Sequence, residues 1–388
     1  MQHQRNVLLY IVGHEATAET YDYLCNLLPA SGQLAYRIVI VNQTNTFSPE
    51  LKYIATQYHD VEIITLDIPV TASWFFRIRT FIAYLHELQP AIVHLLTHTA
   101  EQNRDCQIAM WLAQVSRCVI SIATVTSNDS APGIIATISH KLGQRAIQTM
   151  HAIIVPTLAT KQHIQSHYQL TTTPIEVIPI GIDTTHYALH QINYRTRADY
   201  RLPAQGSIIA AIGTFTHAKG HALLIQAMRN VWQQYPNTHL VLMGDGPELA
   251  NLHALAQQSQ QPRHIHFLAP LADERHFLAL IDIYLHPSRH EEMSFHLLNA
   301  MALERPVIAS AIPNVQEIIE ANASGLLVRP NDADALASAI MRLFNDHELR
   351  ISMAINARPR ISQRFQVAQW HQRTLDCYRN TTPSTYRR

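Results

Sequence analysis

The sequence predicts an α/β fold of two Rossmann-like, doubly wound domains facing a cleft, and three observations lead there. Short β-branched and apolar runs alternate with helical stretches along the whole chain, the rhythm of a parallel sheet covered by helices. At 388 residues the chain is too long for one ordinary domain, and 47% apolar with only 15% charged residues lets it bury sizeable cores. The strand–helix series also splits into two units of nearly equal size, parted by the polar stretch Thr184–Pro203, which reads as a linker.

The elements follow in order. Asn6–Val12 is predicted as a strand buried on both faces, because its apolar run is continuous rather than alternating. A helix over Ala16–Leu28 comes next, then strands at Arg37–Asn42, Val61–Leu66, Ile92–Leu95, Val119–Val125 and His151–Val155. Ile175–Pro179 is a last short run leading into Gly181-Ile182-Asp183. Beyond the linker, strands are predicted at Ser207–Ile212, His239–Met243, His264–Leu268, Ile283–Leu285, Pro306–Ala309 and Gly325–Val328. Helices over Leu223–Gln234, Pro247–Gln258, Glu274–Ile281 and Asp334–Phe344 fill the gaps. The expected domains are 1–190 and 191–364, with a C-terminal helix at about 365–388 packing back on the first domain.

Composition removes several function classes. Lys plus Arg and Asp plus Glu are each 29, so the clustered basic excess of a nucleic-acid binder is missing and no nucleic-acid partner is expected. Cys25, Cys106, Cys118 and Cys377 lack zinc-module spacing and read as core residues in a reducing compartment. Histidine is abundant at 24, yet no His-x3-His falls on an evident helix with a third ligand nearby, so no metal site is expected. Glycine is scarce, 11 where average usage would give about 27. No apolar run reaches the roughly 18 residues of a membrane span. The N-terminus is too short and too lightly charged for a signal peptide, and the expected location is cytoplasmic. Residues 71–88 hold Trp74, Phe75, Phe76 and Phe81 beside Arg77 and Arg79. The first reading of that segment is a helix packed on the sheet; the second is a peripheral contact with the inner face of a membrane.

In doubly wound sheets, ligands sit at the carboxyl ends of strands against helix N-termini. Three such junctions stand out: Gly213–Gly220, Met243–Pro247 and the run from Leu285 to Ser310. In the last, a strand ends at Pro287, a loop holds Glu291, and a helix starts near Phe295. The amides of Met293, Ser294, Phe295 and His296 would then form a cradle for a diphosphate, with Asn299 one turn along the helix.

These junctions carry a family resemblance. The C-terminal half is similar to that of the retaining glycosyltransferases of family 4, which have the GT-B fold and use nucleotide-diphosphate sugars. The landmarks are Val177–Asp183, Gly213, Lys219-Gly220, Gly244–Pro247, Asp282, Pro287-Ser288, Glu291, Ala300-Met301-Ala302, Pro306–Ala309, Glu317 and Gly325–Val328, in order and spacing. The first half resembles the family in its strand rhythm and in the stretch Ala16–Glu19.

The resemblance implies roles residue by residue. Lys219 matches the lysine on the donor phosphates, and Glu291 the glutamate that contacts the transferred sugar; these two are the expected catalytic pair. Met293–His296 match the diphosphate loop, Asn299 falls where a second glutamate meets the ribose, and Glu317 lies at the sugar-facing loop. Ala16 and Thr17 fall where a glycine pair approaches the donor, with Gly13 nearby to compensate in part, and Gly213 and Thr214 fall where a glycine and an arginine do. No cofactor and no catalytic metal are implied.

The departures are concentrated at the same places. Thr214 replaces the second phosphate cation, Asn299 replaces a charged bidentate acceptor, Glu292 and Ser294 replace loop glycines, and Ala16-Thr17 replace the glycine pair. The implied function is transfer of a sugar from a nucleotide-diphosphate donor to a sugar or lipid-linked acceptor with retention. The rival is an inactive GT-B protein serving as a binding or partner subunit. A non-hydrolysing sugar-nucleotide epimerase ranks third, since no matching acid/base motif is present.

Overall fold

The structure is a computed structural model that describes residues 6–12, 18–31, 36–42, 61–66, 68–69, 72–124, 134–192, 195–271, 273–289 and 294–381. The chain forms two compact units. The first runs to Pro179 and takes the chain up again from Gln369; the second spans Ile180–Ala368.

Among the described residues the first unit holds β1 (Asn6–Val12), β2 (Tyr36–Asn42), β3 (Val61–Thr65), β4 (Ile92–Thr97), β5 (Cys118–Ile122), β6 (Ala152–Val155) and β7 (Ile175–Val177). All pair in parallel, in the order β3-β2-β1-β4-β5-β6-β7. Leu9, Ile11, Val39, Val93, Leu95 and Ile120 fill one core of this unit, sealed by helices such as Trp74–Leu88 and Arg104–Leu112. All four cysteines are buried and unbridged.

Within the Trp74–Leu88 helix, Ile78, Phe81 and Leu85 face that core, while Phe75 and Phe76 are 71% and 52% exposed. Ser73 caps it by accepting from Phe76 N. The closing helix, Val367–Asn380, brings Trp370 and Tyr378 into the same unit, both 1% exposed. His94, on β4, is fully buried between the Tyr378 hydroxyl at 2.6 Å and Ser121 Oγ at 2.7 Å. Tyr10 and Tyr23 complete the network through Tyr378 and Ser121.

The second unit holds β8 (Ser207–Ile212), β9 (Thr238–Met243), β10 (Ile265–Leu268), β11 (Ile283–His286), β12 (Val307–Ser310) and β13 (Leu326–Val328), in the order β10-β9-β8-β11-β12-β13. Its core is built from residues such as Ile209, Ala211, Leu240, Ile283 and Ile308 beneath the His221–Gln234 and Ala333–Asn345 helices.

The stretch expected as a linker is folded into this unit. Thr184 and Tyr200 are buried, Tyr200 lies edge-on to Phe277, and the Arg358 guanidinium donates to the carbonyls of Thr184 and Tyr187. The unit begins at Ile180 rather than after 190 because Ile182 bridges Gln366, and Gly181 lies so close that a Cβ would stand 2.5 Å from the Gln366 carbonyl oxygen. The helix expected over Glu274–Ile281 is a single turn, Arg275–Leu278. Asp282 N already bonds Ile208 O as the chain enters β11, which leaves no length for a second turn.

Candidate functional site: the switch point of the second sheet

Strand order fixes where a site can form. From β8 the chain moves outward to β9 and β10, then returns to β11 on the other side of β8. The carboxyl ends of β8 and β11 are therefore the topological switch point, where the outgoing loops part and leave a crevice. Both candidate loops of this unit start there: Gly213–Gly220 after β8, and the run from Pro287 after β11.

The β8 loop is tightly anchored. Gly213 N bonds Met243 O at 3.0 Å, and Gly244 N bonds Leu268 O at 3.0 Å, which laces the ends of β8, β9 and β10 together. Phe215 is fully buried, bonds Asp245 O through its N–H at 2.8 Å, and meets the His221 ring edge-on. A 3₁₀ turn, His217–Lys219, then ends at Gly220 in the left-handed region, φ 73°. Thr214 and Lys219 are half-buried in this loop. The vacant Cβ position of Gly213 lies 3.9 Å from Lys219 Cδ, so the lysine stem passes over the glycine.

The two loops are joined directly. Arg289 N bonds Ala218 O at 2.8 Å, the Arg289 guanidinium bonds His217, and Gly220 abuts the Pro287 carbonyl. The Phe295–Ala302 helix follows β11 with Ser294 as its N-cap, its hydroxyl accepting from Leu297 N. The first-turn amides of this helix face out of the sheet's carboxyl end, as an anion cradle requires.

Behind the cradle lies a cluster that the sequence reading did not contain. The Glu274 carboxylate is 8% exposed. Its Oε2 is 2.7 Å from His296 Nδ1, and its Oε1 accepts from Asn299 Nδ2 at 2.8 Å. Burial works against the carboxylate's charge, but the contacts with His296 and Asn299 outweigh it and hold Glu274 below the usual range. Asn299 is itself 6% exposed, and its Oδ1 is buried without a hydrogen-bond partner.

The sequence-derived residues thus divide. Gly213, Thr214, Lys219, Ser294, Phe295, His296 and Asn299 come together on the loops and helix at the switch point. His296, expected on the diphosphate loop, lies in the first turn of this helix with its Nδ1 on Glu274. Glu317 is half-buried in the short Pro313–Ile318 helix, where its carbonyl accepts from Arg360. Gly13, Ala16, Thr17, Glu291 and Met293 lie outside the described residues, as does Glu292. Glu274 was missed because 25 positions separate it from Asn299. The only sequence cue was an asparagine where a carboxylate was expected, which asks where that carboxylate went.

Comparison with known proteins agrees with this architecture. Residues 194–360 match the family described as glycosyl transferases group 1, and residues 22–186 match Glycosyltransferase Family 4. The lipopolysaccharide core biosynthesis glycosyltransferase LpsE of Rhizobium meliloti is 32% identical over 41% of this chain and 45% of its own. A D-inositol 3-phosphate glycosyltransferase of Corynebacterium jeikeium is 28% identical over 54% of this chain and 53% of its own. The chain thus spans about half the length of the curated relatives it matches. Among solved structures, a glycosyltransferase from Rickettsia africae superposes with a TM-score of 0.78 at 16% identity, covering 98% and 99% of the two chains. Anabaena HepE in complex with UDP superposes with a TM-score of 0.77 at 18% identity, covering 96% and 99%.

Proposed function

The chain belongs to the GT-B glycosyltransferases, family 4 in its first half and group 1 in its second, and from that premise we propose that it moves a sugar from a nucleotide-diphosphate donor to an acceptor hydroxyl with retention at the anomeric carbon. The observation that carries this reading is the Lys219 stem laid over Gly213 at the sheet's switch point, joined through Ala218 and Arg289 to the loop that leads into the Ser294-capped helix. A lysine ammonium and a set of first-turn amides on one crevice suit a diphosphate.

In the proposed step the acceptor oxygen bonds the anomeric carbon while the bond from that carbon to the diphosphate oxygen breaks. The diphosphate leaves with the electron pair and takes the acceptor's proton on the same face. Lys219 and the helix amides stabilise the charge that grows on the leaving group, in place of a metal. Glu291 would contact the transferred sugar, and Glu317 would face it from the last loop. UDP and UDP-glucose complexes of HepE support a nucleotide-sugar donor of this kind. The acceptor is a sugar or a lipid-linked sugar, and the exposed Phe75–Phe76 pair offers a peripheral seat on a membrane from which a lipid-linked one would be reached. Among the described residues no helix is long and apolar enough to cross a membrane.

Thr214 and Asn299, neither of them charged, favour the rival reading of a binding protein that no longer transfers. Calorimetry with UDP, GDP and ADP, with and without magnesium, followed by a transfer assay on wild type and Lys219→Ala, separates the two. Transfer requires one nucleotide to bind at micromolar concentration and Lys219→Ala to lower kcat by about 10²–10³-fold. A folded wild type that binds none of the three at millimolar concentration leaves the rival standing.

A further inference from the structure

Glu274 and Asn299 form a pair whose arrangement goes beyond satisfying each other. A carboxylate has no proton to give, so Asn299 must turn its NH₂ to Glu274. Rotating the amide by half a turn would set two oxygens against each other at the 2.8 Å separation of the present bond. Oδ1 is therefore fixed pointing away from Glu274, and it is the atom left buried without a partner. An unpaired buried acceptor is costly, and an orphan that persists in a folded protein calls for an explanation in function. The helix that carries it starts at the switch-point loop, so the orphan sits one turn behind the anion cradle.

We infer that Glu274 is a positioning residue that aims Asn299 Oδ1 at one ribose hydroxyl of the donor nucleotide, so that the carboxylate absent at position 299 acts from position 274 through the amide. The inference rests on the donor reading above and adds two things to it. Asn299 offers the ribose one acceptor atom held in one direction, where a carboxylate would offer two, so one hydroxyl is favoured over the other. The pair is also mutually exclusive: a carboxylate at 299 would be buried within hydrogen-bond distance of the Glu274 carboxylate, and two such charges repel.

The test measures dissociation constants of UDP, GDP and ADP, of the 2′-deoxy and 3′-deoxy forms of whichever binds, and of inorganic diphosphate. Wild type is expected to lose roughly tenfold for one deoxy form and little for the other. Glu274→Ala is expected to bring the ratio between parent and deoxy nucleotide close to one while diphosphate affinity stays, because the Lys219 loop is untouched. Asn299→Glu alone is expected to lower the urea midpoint, and Asn299→Glu with Glu274→Gln to recover both stability and discrimination. A Glu274→Ala protein that still discriminates overturns the inference and leaves the donor reading intact. Equal weakening of nucleotide, deoxynucleotide and diphosphate overturns it as well, since a packing role would act that way. A wild type that binds no nucleotide removes both readings together.

Discussion

Gly220 leaves no room for a side chain. Its φ is 73°, and an added Cβ would stand 2.3 Å from the Pro287 carbonyl oxygen, on a backbone that cannot swing aside. Left-handed strain alone costs a non-glycine residue about 1–3 kcal/mol, and the clash would also prise the β8 and β11 loops apart. Gly220→Ala is therefore expected to lower the urea midpoint and to weaken nucleotide binding. Gly143 provides the contrast. It lies inside the Ile134–Gln148 helix, and its nearest neighbours are the Arg104 side-chain carbons at 3.2 and 3.3 Å. That side chain can move, and alanine is the better helix former, so Gly143→Ala should raise stability by up to about 1 kcal/mol. Urea unfolding of both variants is the check, and shifts of the same sign would show that local backbone geometry does not decide these positions.

At the level of elements, helix Trp74–Leu88 makes two surfaces from one short segment. Ile78, Phe81 and Leu85 hold it on the sheet, and Arg77 pairs with Asp105 at 3.1 Å, so its inner face is committed. Phe75, Phe76 and Arg79 are left to solvent at its N-terminal end. Aromatic rings next to a cation suit the interface of an anionic lipid layer. Phe75→Ser with Phe76→Ser should leave the fold intact and reduce co-sedimentation with phosphatidylglycerol vesicles severalfold; unchanged co-sedimentation would remove the membrane seat from the functional reading. The reading as a helix packed on the sheet is met by its buried stripe, while its exposed aromatic residues are what the vesicle experiment addresses. Strands were equally legible: β1 and β8 have the expected limits, since an uninterrupted apolar run between polar residues admits few alternatives. Lys219 and Asn299 were singled out by a family resemblance, and both lie on the loops and helix that follow strand ends of the second sheet. Glu274 could not be found that way, since only the return of the chain from β10 to β11 carries it to the Phe295–Ala302 helix. The fold of Thr184–Pro203 was illegible for a similar reason: its polar surface hides Tyr200 and the carbonyls that Arg358 gathers from far along the chain.

Across the whole molecule, six histidines among the described residues are held below the usual range and shape the response to acid. His94 is held down to about 3 by burial, and His239 to about 4 by burial together with the neighbouring His264 and His266. Burial likewise lowers His151, His186, His266 and His371. A base whose folded pKa is depressed binds fewer protons folded than unfolded between the two values. Its contribution is complete above the unfolded value near 6.5 and is lost as the pH falls toward the folded one. For one such group as deeply buried as His94 the slope approaches about 1.4 kcal/mol per pH unit. The carboxylates depressed by their partners, Asp199, Asp273 and Glu274, also lose stability in acid, but only below unfolded values near 4. The window from about pH 6.5 to 4.5 therefore belongs to the histidines. His94 has a particular weight there, because its Nδ1 meets a hydroxyl from the last helix, 284 residues away, and protonation would place a charge inside the contact that ties the end of the chain into the first unit. Urea midpoints should fall steadily from pH 6.5 to 4.5, and the slope should be smaller in His94→Gln, whatever that variant's stability at pH 7.5. A flat profile across this window would mean that protonating these histidines costs the fold nothing, which for His94 requires the first unit to open locally at the last helix. Hydrogen exchange at Trp370 and Tyr378 over the same pH range would then detect that opening directly.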